Sequence, residues 1–273
     1  MKRILSALVA LPILLFTIWS STAYFFLVLA ALACVLALWE FYGMAAKVGA
    51  NSSRLTGCIA ALLLLLCFMF GKLEFVSAIL AATVIVTLCI ELKETRSLAT
   101  TLVSASATIF GVVYIGLLLA FLIGVRTIPD KPGAAHLGAK FLTTFFAIVM
   151  LTDTGAYCTG RLIGRHKLAP KISPGKTIEG AIGGFVTGIL AGLACRLIFF
   201  GQLPVLDAAL LGASVSAVGQ AGDLVESMLK RGSGVKDSSN LIPGHGGMLD
   251  RLDSVLAAAP LIYYYSRFFL SRY

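Results

Sequence analysis

The chain has 273 residues, 59% of them hydrophobic and only 13% charged, with 22 Lys and Arg against 13 Asp and Glu. That balance excludes an ordinary soluble globular domain, and a formal charge of +9 with no soluble basic domain to carry it does not suggest nucleic acid as a partner. The apolar runs lack the alternation of a β-barrel, so the fold class predicted is an all-α, polytopic integral membrane protein.

A bilayer core of about 30 Å takes about 20 apolar residues per helix. Such runs fall near residues 4–20, 22–45, 56–71, 74–91, 98–124, 139–160, 178–200, 206–228 and 254–271, which predicts about nine transmembrane helices. The first run has a basic start but no clear small-residue cleavage site, and it reads as a retained helix. With the N-terminus inside, nine spans place Lys47, Arg54, Lys93 and Arg96 on the inner side, together with the cations of 161–177 and 229–253. The positive-inside rule therefore predicts two large cytoplasmic loops, at 161–177 and 229–253. The basic excess suits anionic membrane lipid or nucleotide phosphates. The six cysteines form no CxxC pair and read as apolar filler.

Two regions differ in composition. Residues 1–124 are apolar runs with short loops and read as an N-terminal transmembrane scaffold. The Gly- and Pro-containing linker GVRTIPDKPGAAHLGAK then leads into 125–273, which reads as the catalytic transmembrane domain and holds eight of the thirteen acids from Asp153 onward.

Three constellations carry candidate chemistry. Asp153 lies in an apolar run, where a carboxylate is costly unless it finds a cation or a wet cavity; a helix-end acid paired with Arg161 or Arg165 is the alternative. The stretch ISPGKTIEGAIGG (172–184) resembles a phosphate loop, but Pro170 stands where a Walker A motif needs glycine and no strand is expected before it. It is read as Ser173-Pro174 opening a helix, with Lys176 and Thr177 in the first turn and Glu179 shortly after. That makes either an anion site or a plain cap.

The densest is SMLKRGSGVKDSSNLIPGHGGMLDRLD (227–253), preceded by Asp223 and Glu226 on one helix face. It packs Lys230, Arg231, Lys236 and Arg251 beside Asp237, Asp250 and Asp253, around a His245-Gly246-Gly247 turn. Carboxylates from two helices suit a divalent cation such as Mg2+, and the cations suit phosphate oxygens. Each residue also has a plainer reading: dipole-favoured caps for Asp250 and Asp253, interfacial anchors for Lys230 and Arg231, a loop hydrogen bond for His245.

Ser227, Lys230-Arg231, Lys236-Asp237, Pro243, His245-Gly246-Gly247, Asp250-Arg251 and Asp253 together resemble the signature of the phosphatidate cytidylyltransferases, or CDP-diacylglycerol synthases. The resemblance extends upstream through Asp153-Thr154-Gly155-Ala156-Tyr157, Gly160-Arg161 and Ser173 to Gly180. It implies that CTP and phosphatidate give CDP-diacylglycerol and pyrophosphate. It further implies a homodimer, a requirement for Mg2+ and an associated potassium ion (K+). By position, Asp223, Asp250 and Asp253 would be the metal-linked acids. Lys230, Arg231, Lys236, Asp237, His245 and Arg251 would complete the catalytic set. Asp153, Ser173, Lys176, Thr177, Glu179, Gly246 and Gly247 would bind substrate. The compact loops favour a bacterial plasma membrane, with the site facing the cytoplasm.

Two other readings compete. A CTP-dependent lipid kinase would use the same nucleotide and release CDP. An ion-coupled transporter would line a cation route with Asp153, Asp223 and Asp250, but leaves the cation-rich loops unexplained. The spaced-aspartate pattern of the CDP-alcohol phosphotransferases is absent.

Overall fold

The computed structural model describes residues 2–93, 98–239 and 246–272. Every apolar run becomes a helix: α1 (Lys2–Trp19), α2 (Tyr24–Lys47), α3 (Arg54–Met69), α4 (Phe75–Lys93) and α5 (Leu98–Gly111). From α5 the chain runs through a π-helical turn (Val112–Leu117) into α6 (Leu118–Arg126). There follow α7 (Leu137–Ile163), strands β1 (Lys167–Ala169) and β2 (Ser173–Thr177), then α8 (Ile178–Ile198), α9 (Val205–Gly232) and α10 (Leu249–Arg272). The protein is an all-α, polytopic membrane protein. Among the described residues, six helices are long and apolar enough to cross a membrane, fewer than the nine expected. Val9–Trp19 and Arg54–Met69 are shorter apolar helices, and α10 carries charge at both ends.

The stretch expected to open a helix at Ser173 instead forms an antiparallel hairpin with β1, pairing Lys167 with Thr177 and Ala169 with Ser173. Pro174 and Gly175 disfavour a helix there, and a proline is tolerated in a two-stranded ribbon because every strand is an edge. The helix starts at Ile178, with Thr177 as its cap.

The chain divides into two compact units, Met1–Thr127 with Lys230–Leu252, and Ile128–Leu229 with Asp253–Tyr273. In the first, α3 packs against α2, α4, the π turn and α6. Tyr42 is fully buried between Gly57 and Gly111, and its hydroxyl donates to the Thr108 carbonyl at 3.1 Å. The loop before α3 satisfies its amides on α5: Asn51 N donates to Ser104 Oγ at 2.8 Å and Ser53 N to Thr108 Oγ1 at 3.0 Å. Helix α4 buries only Thr83, Thr87 and Glu91, one turn apart on one face, while Ile85, Val86, Leu88 and Leu92 are exposed.

In the second unit α7 and α8 lie almost backbone to backbone. Gly180, Gly184, Gly188 and Gly192 recur every fourth residue and are all buried, the small-residue seam that lets membrane helices approach closely. A Cβ on Gly184 would stand 2.9 Å from both Ala156 Cβ and the Thr152 carbonyl. On Gly188 it would meet Thr152 Oγ1 at 2.7 Å and Ser216 Cβ at 2.6 Å. Away from this seam, Phe141, Phe200 and Phe269 pack edge to face. Asp130 there accepts from Leu137 N at 3.0 Å and caps α7.

Candidate active site

Each unit carries one polar constellation. In the second unit, Thr177 is extended and its hydroxyl accepts from Gly180 N at 3.1 Å, closing the first turn of α8. Glu179, in that first turn, accepts from Arg165 N at 3.0 Å and His166 N at 3.2 Å, and pairs with His166 Nδ1 at 2.6 Å. These bonds tie the entrance of the hairpin to the head of α8 and fix where β2 delivers Lys176. The Lys176 ammonium sits 2.5 Å from Asp223 Oδ2 of α9. Asp253 lies where it feels the negative charge of Asp223 and Asp153 and the positive charge of Lys176. A close approach permits this: a Cβ on Gly222 would stand 2.7 Å from the Asp253 carbonyl, so α9 and α10 nearly touch there.

A cavity of about 170 Å³ opens beside this cluster. Tyr157, Arg161, Lys176, Thr177 and Gln220 line it, and Arg161 Nη1 donates to Tyr157 Oη at 3.0 Å. The structure thus sets Lys176 against Asp223, with Thr177 next to it in the chain and Asp253 and Asp153 within electrostatic reach of one another. Glu179 lies in the first turn of α8 behind the hairpin, and Ser173 is half-buried at the far end of β2. Gln220, one helical turn from Asp223, escaped the sequence reading, because an amide carries no charge to mark it.

In the first unit, the polar segment after α9 folds around Asp250. Its Oδ1 takes the Lys230 ammonium at 2.5 Å, with both side chains nearly buried. Its Oδ2 accepts from Gly247 N at 2.7 Å, Ser238 Oγ at 2.8 Å and Ser238 N at 3.1 Å. Gly246 adopts φ +78°, and a Cβ there would also press on Asp250 Oδ2, so glycine is required twice over. Arg231 Nη1 donates to the Val235 carbonyl, closing the end of α9. Lys236, Asp237 and Arg251 are exposed. His245 lies outside the described residues.

Glu40 of α2 was missed by the sequence reading and, like Asp250, is held by several hydrogen bonds. It is 5% exposed and accepts from Ser238 Oγ, Ser239 Oγ, Met248 N and Leu249 N, at 2.6 to 2.9 Å. The signal was present: a lone carboxylate between Trp39 and Phe41 in an apolar run calls for donors. Among the described residues, no three His, Cys, Asp or Glu side chains already stand in a metal-coordinating arrangement.

Residues 1–269 match the model of the cytidylyltransferase family. The chain belongs to that family. The resemblance read from the signature residues is thereby borne out at the family level. Among its relatives, the phosphatidate cytidylyltransferase of Haemophilus influenzae is 48% identical over 139 residues, 49% of this chain and 48% of the relative. That of Bacillus subtilis is 41% identical over 154 residues, covering 56% and 54%. A Staphylococcus aureus family member of the same name is 49% identical over 127 residues, covering 46% and 48%. The chain spans about half the length of the curated relatives it matches.

Proposed function

We propose that the protein transfers the cytidylyl group of CTP to phosphatidate, giving CDP-diacylglycerol and pyrophosphate. The observation that carries the reading is the Lys176–Asp223 pair beside Asp253, at the rim of a cavity that also holds Arg161 and Thr177. The names of the bacterial relatives support the choice of phosphatidate.

An oxygen of the lipid phosphate forms a bond to the α-phosphorus of CTP. The bond from that phosphorus to the bridging oxygen breaks, and its electron pair leaves on pyrophosphate. A phosphate monoester with a second pKa of about 6 is already ionised near pH 7, so no strong base is needed. The barrier lies in bringing polyanions together and in the charge that develops on the leaving group. Lys176 and Arg161 supply fixed positive charge, the first carried by the Glu179-anchored hairpin and the second bonded to Tyr157. Lys230, Arg231, Lys236 and Arg251 add cationic charge on the polar segment.

Asp223 and Asp253 carry hard oxygen donors of the kind that suit Mg2+, and Asp223 would take the ion only by releasing Lys176. When bound, that ion would neutralise phosphate charge. Asp250, expected from the sequence as a third ligand, already accepts from Lys230, Ser238 and Gly247 and orders its segment. It would turn to a metal only by releasing Lys230.

The test is pyrophosphate release by detergent-purified protein given CTP, phosphatidate and Mg2+, with lipid omitted as control. Lipid-dependent pyrophosphate that disappears in Asp223→Asn is the expected result. CDP as product would replace this reading with lipid phosphorylation.

A further inference from the structure

We propose that Glu40 is a positioning residue for this reaction, holding residues 238–239 and 248–249 of the polar segment in working order from within the N-terminal helices. The inference rests on the cytidylyl-transfer reading for its consequence, but not for its geometry. Glu40 sits on α2, far in sequence from any signature residue. Each of its oxygens takes one hydroxyl and one backbone amide: Oε1 accepts from Ser239 Oγ at 2.6 Å and Met248 N at 2.9 Å, and Oε2 from Ser238 Oγ at 2.9 Å and Leu249 N at 2.8 Å. The carboxylate therefore ties together two stretches, 238–239 and 248–249, that are separated along the chain.

The two amides begin α10, where the first N–H groups have no partner within the helix and a negative charge is favoured by the helix dipole. Ser238, one of the clamped residues, also donates its backbone N–H to Asp250, whose other oxygen holds Lys230. Glu40 thus fixes the segment that presents Lys230 and Asp250. A Cβ on Gly247 would meet the Glu40 carboxyl carbon at 2.6 Å, so the fit depends on glycine at that position.

The chemistry of the site decides which substitutions discriminate. Hydroxyls can turn to accept a bond, but Met248 N and Leu249 N can only donate. Glutamine satisfies one amide and sets its NH2 group against the other. Aspartate keeps the charge but falls about 1.5 Å short.

In Glu40→Gln we expect kcat for lipid-dependent pyrophosphate release to fall by about 100-fold, the scale of a loss from slight misplacement of catalytic groups, with KM for CTP nearly unchanged. A second readout needs no turnover. Arg231 and Lys236 are exposed on the clamped segment, so brief trypsin treatment should cut there faster in Glu40→Gln than in wild type, while the remaining helices stay intact. Wild-type kcat, or wild-type resistance at both sites, overturns the proposal. If Glu40→Gln gives no monodisperse protein, Ser239→Ala carries the same test with a smaller expected loss, and unchanged kcat and cleavage there overturn it. If wild-type protein releases no pyrophosphate, the functional reading fails, and the trypsin comparison alone decides whether Glu40 holds the segment.

Discussion

Lys176 and Lys230 each meet a carboxylate at 2.5 Å, yet their surroundings set different expectations for their loss. The Lys176 and Asp223 side chains are 27% and 32% exposed, more open than the second pair, although the Lys176 ammonium nitrogen itself is buried. Lys176→Met should therefore lower the melting temperature in detergent less than loss of Lys230 does, while cutting pyrophosphate release by about 100-fold, the scale set by loss of one preorganised group that meets developing charge. Lys230 and Asp250 are 12% and 8% exposed. Removing one partner strands the other, a loss of about 3–5 kcal/mol for a buried pair. Lys230→Met should thus lower both activity and the unfolding midpoint. The sequence made these cations and their acids visible because they cluster. Glu40 stayed hidden because it stands alone, with its four donors nearly two hundred or more positions away and half of them backbone amides that no side-chain pattern reveals.

The helices were legible because hydrocarbon thickness enforces long apolar runs, and each expected run became a helix within a few residues. The hairpin of β1 and β2 was not, since ISPGKT shows no alternation and its strand register depends on Glu179 and the backbone around His166. Neither was the glycine seam, which is a pattern of absence in α8. Gly184→Val should prevent α7 and α8 from closing, seen as loss of monodisperse protein, whereas the same change at Gly175, with nothing within 4 Å of its Cβ position, should be tolerated in folding. Asp130 gives α7 a pH dependence. Backbone amides of His136 and Leu137, helped by the charges of His136 and Lys140, hold its carboxyl below the usual carboxylate range. Its contribution is thus complete above about pH 4 and lost as pH falls through the lower folded value. Asp130→Asn should flatten the acid limb of a stability profile measured by thermal melts.

At the scale of the molecule, the orientation of the polar segment is our proposal from charge placement alone. An impermeant maleimide should label Lys236→Cys only after the cytoplasmic face is opened, provided the exposed Cys89 and Cys158 are first replaced. Chelation of divalent cations should abolish turnover, with recovery on adding Mg2+. Helix α4 has a consequence for handling the protein outside a bilayer. Its threonines Thr83 and Thr87 and the Glu91 carboxylate point inward and most of its hydrocarbon points outward, the reverse of a helix in a water-soluble protein. Ordinary rules of conservative exchange therefore invert along it. Thr83→Leu, mild by hydropathy, should harm folding more than Leu92→Lys, which alters only a side chain that is 86% exposed. A version of this helix made for water would keep its interior polar and rewrite only its apolar coat.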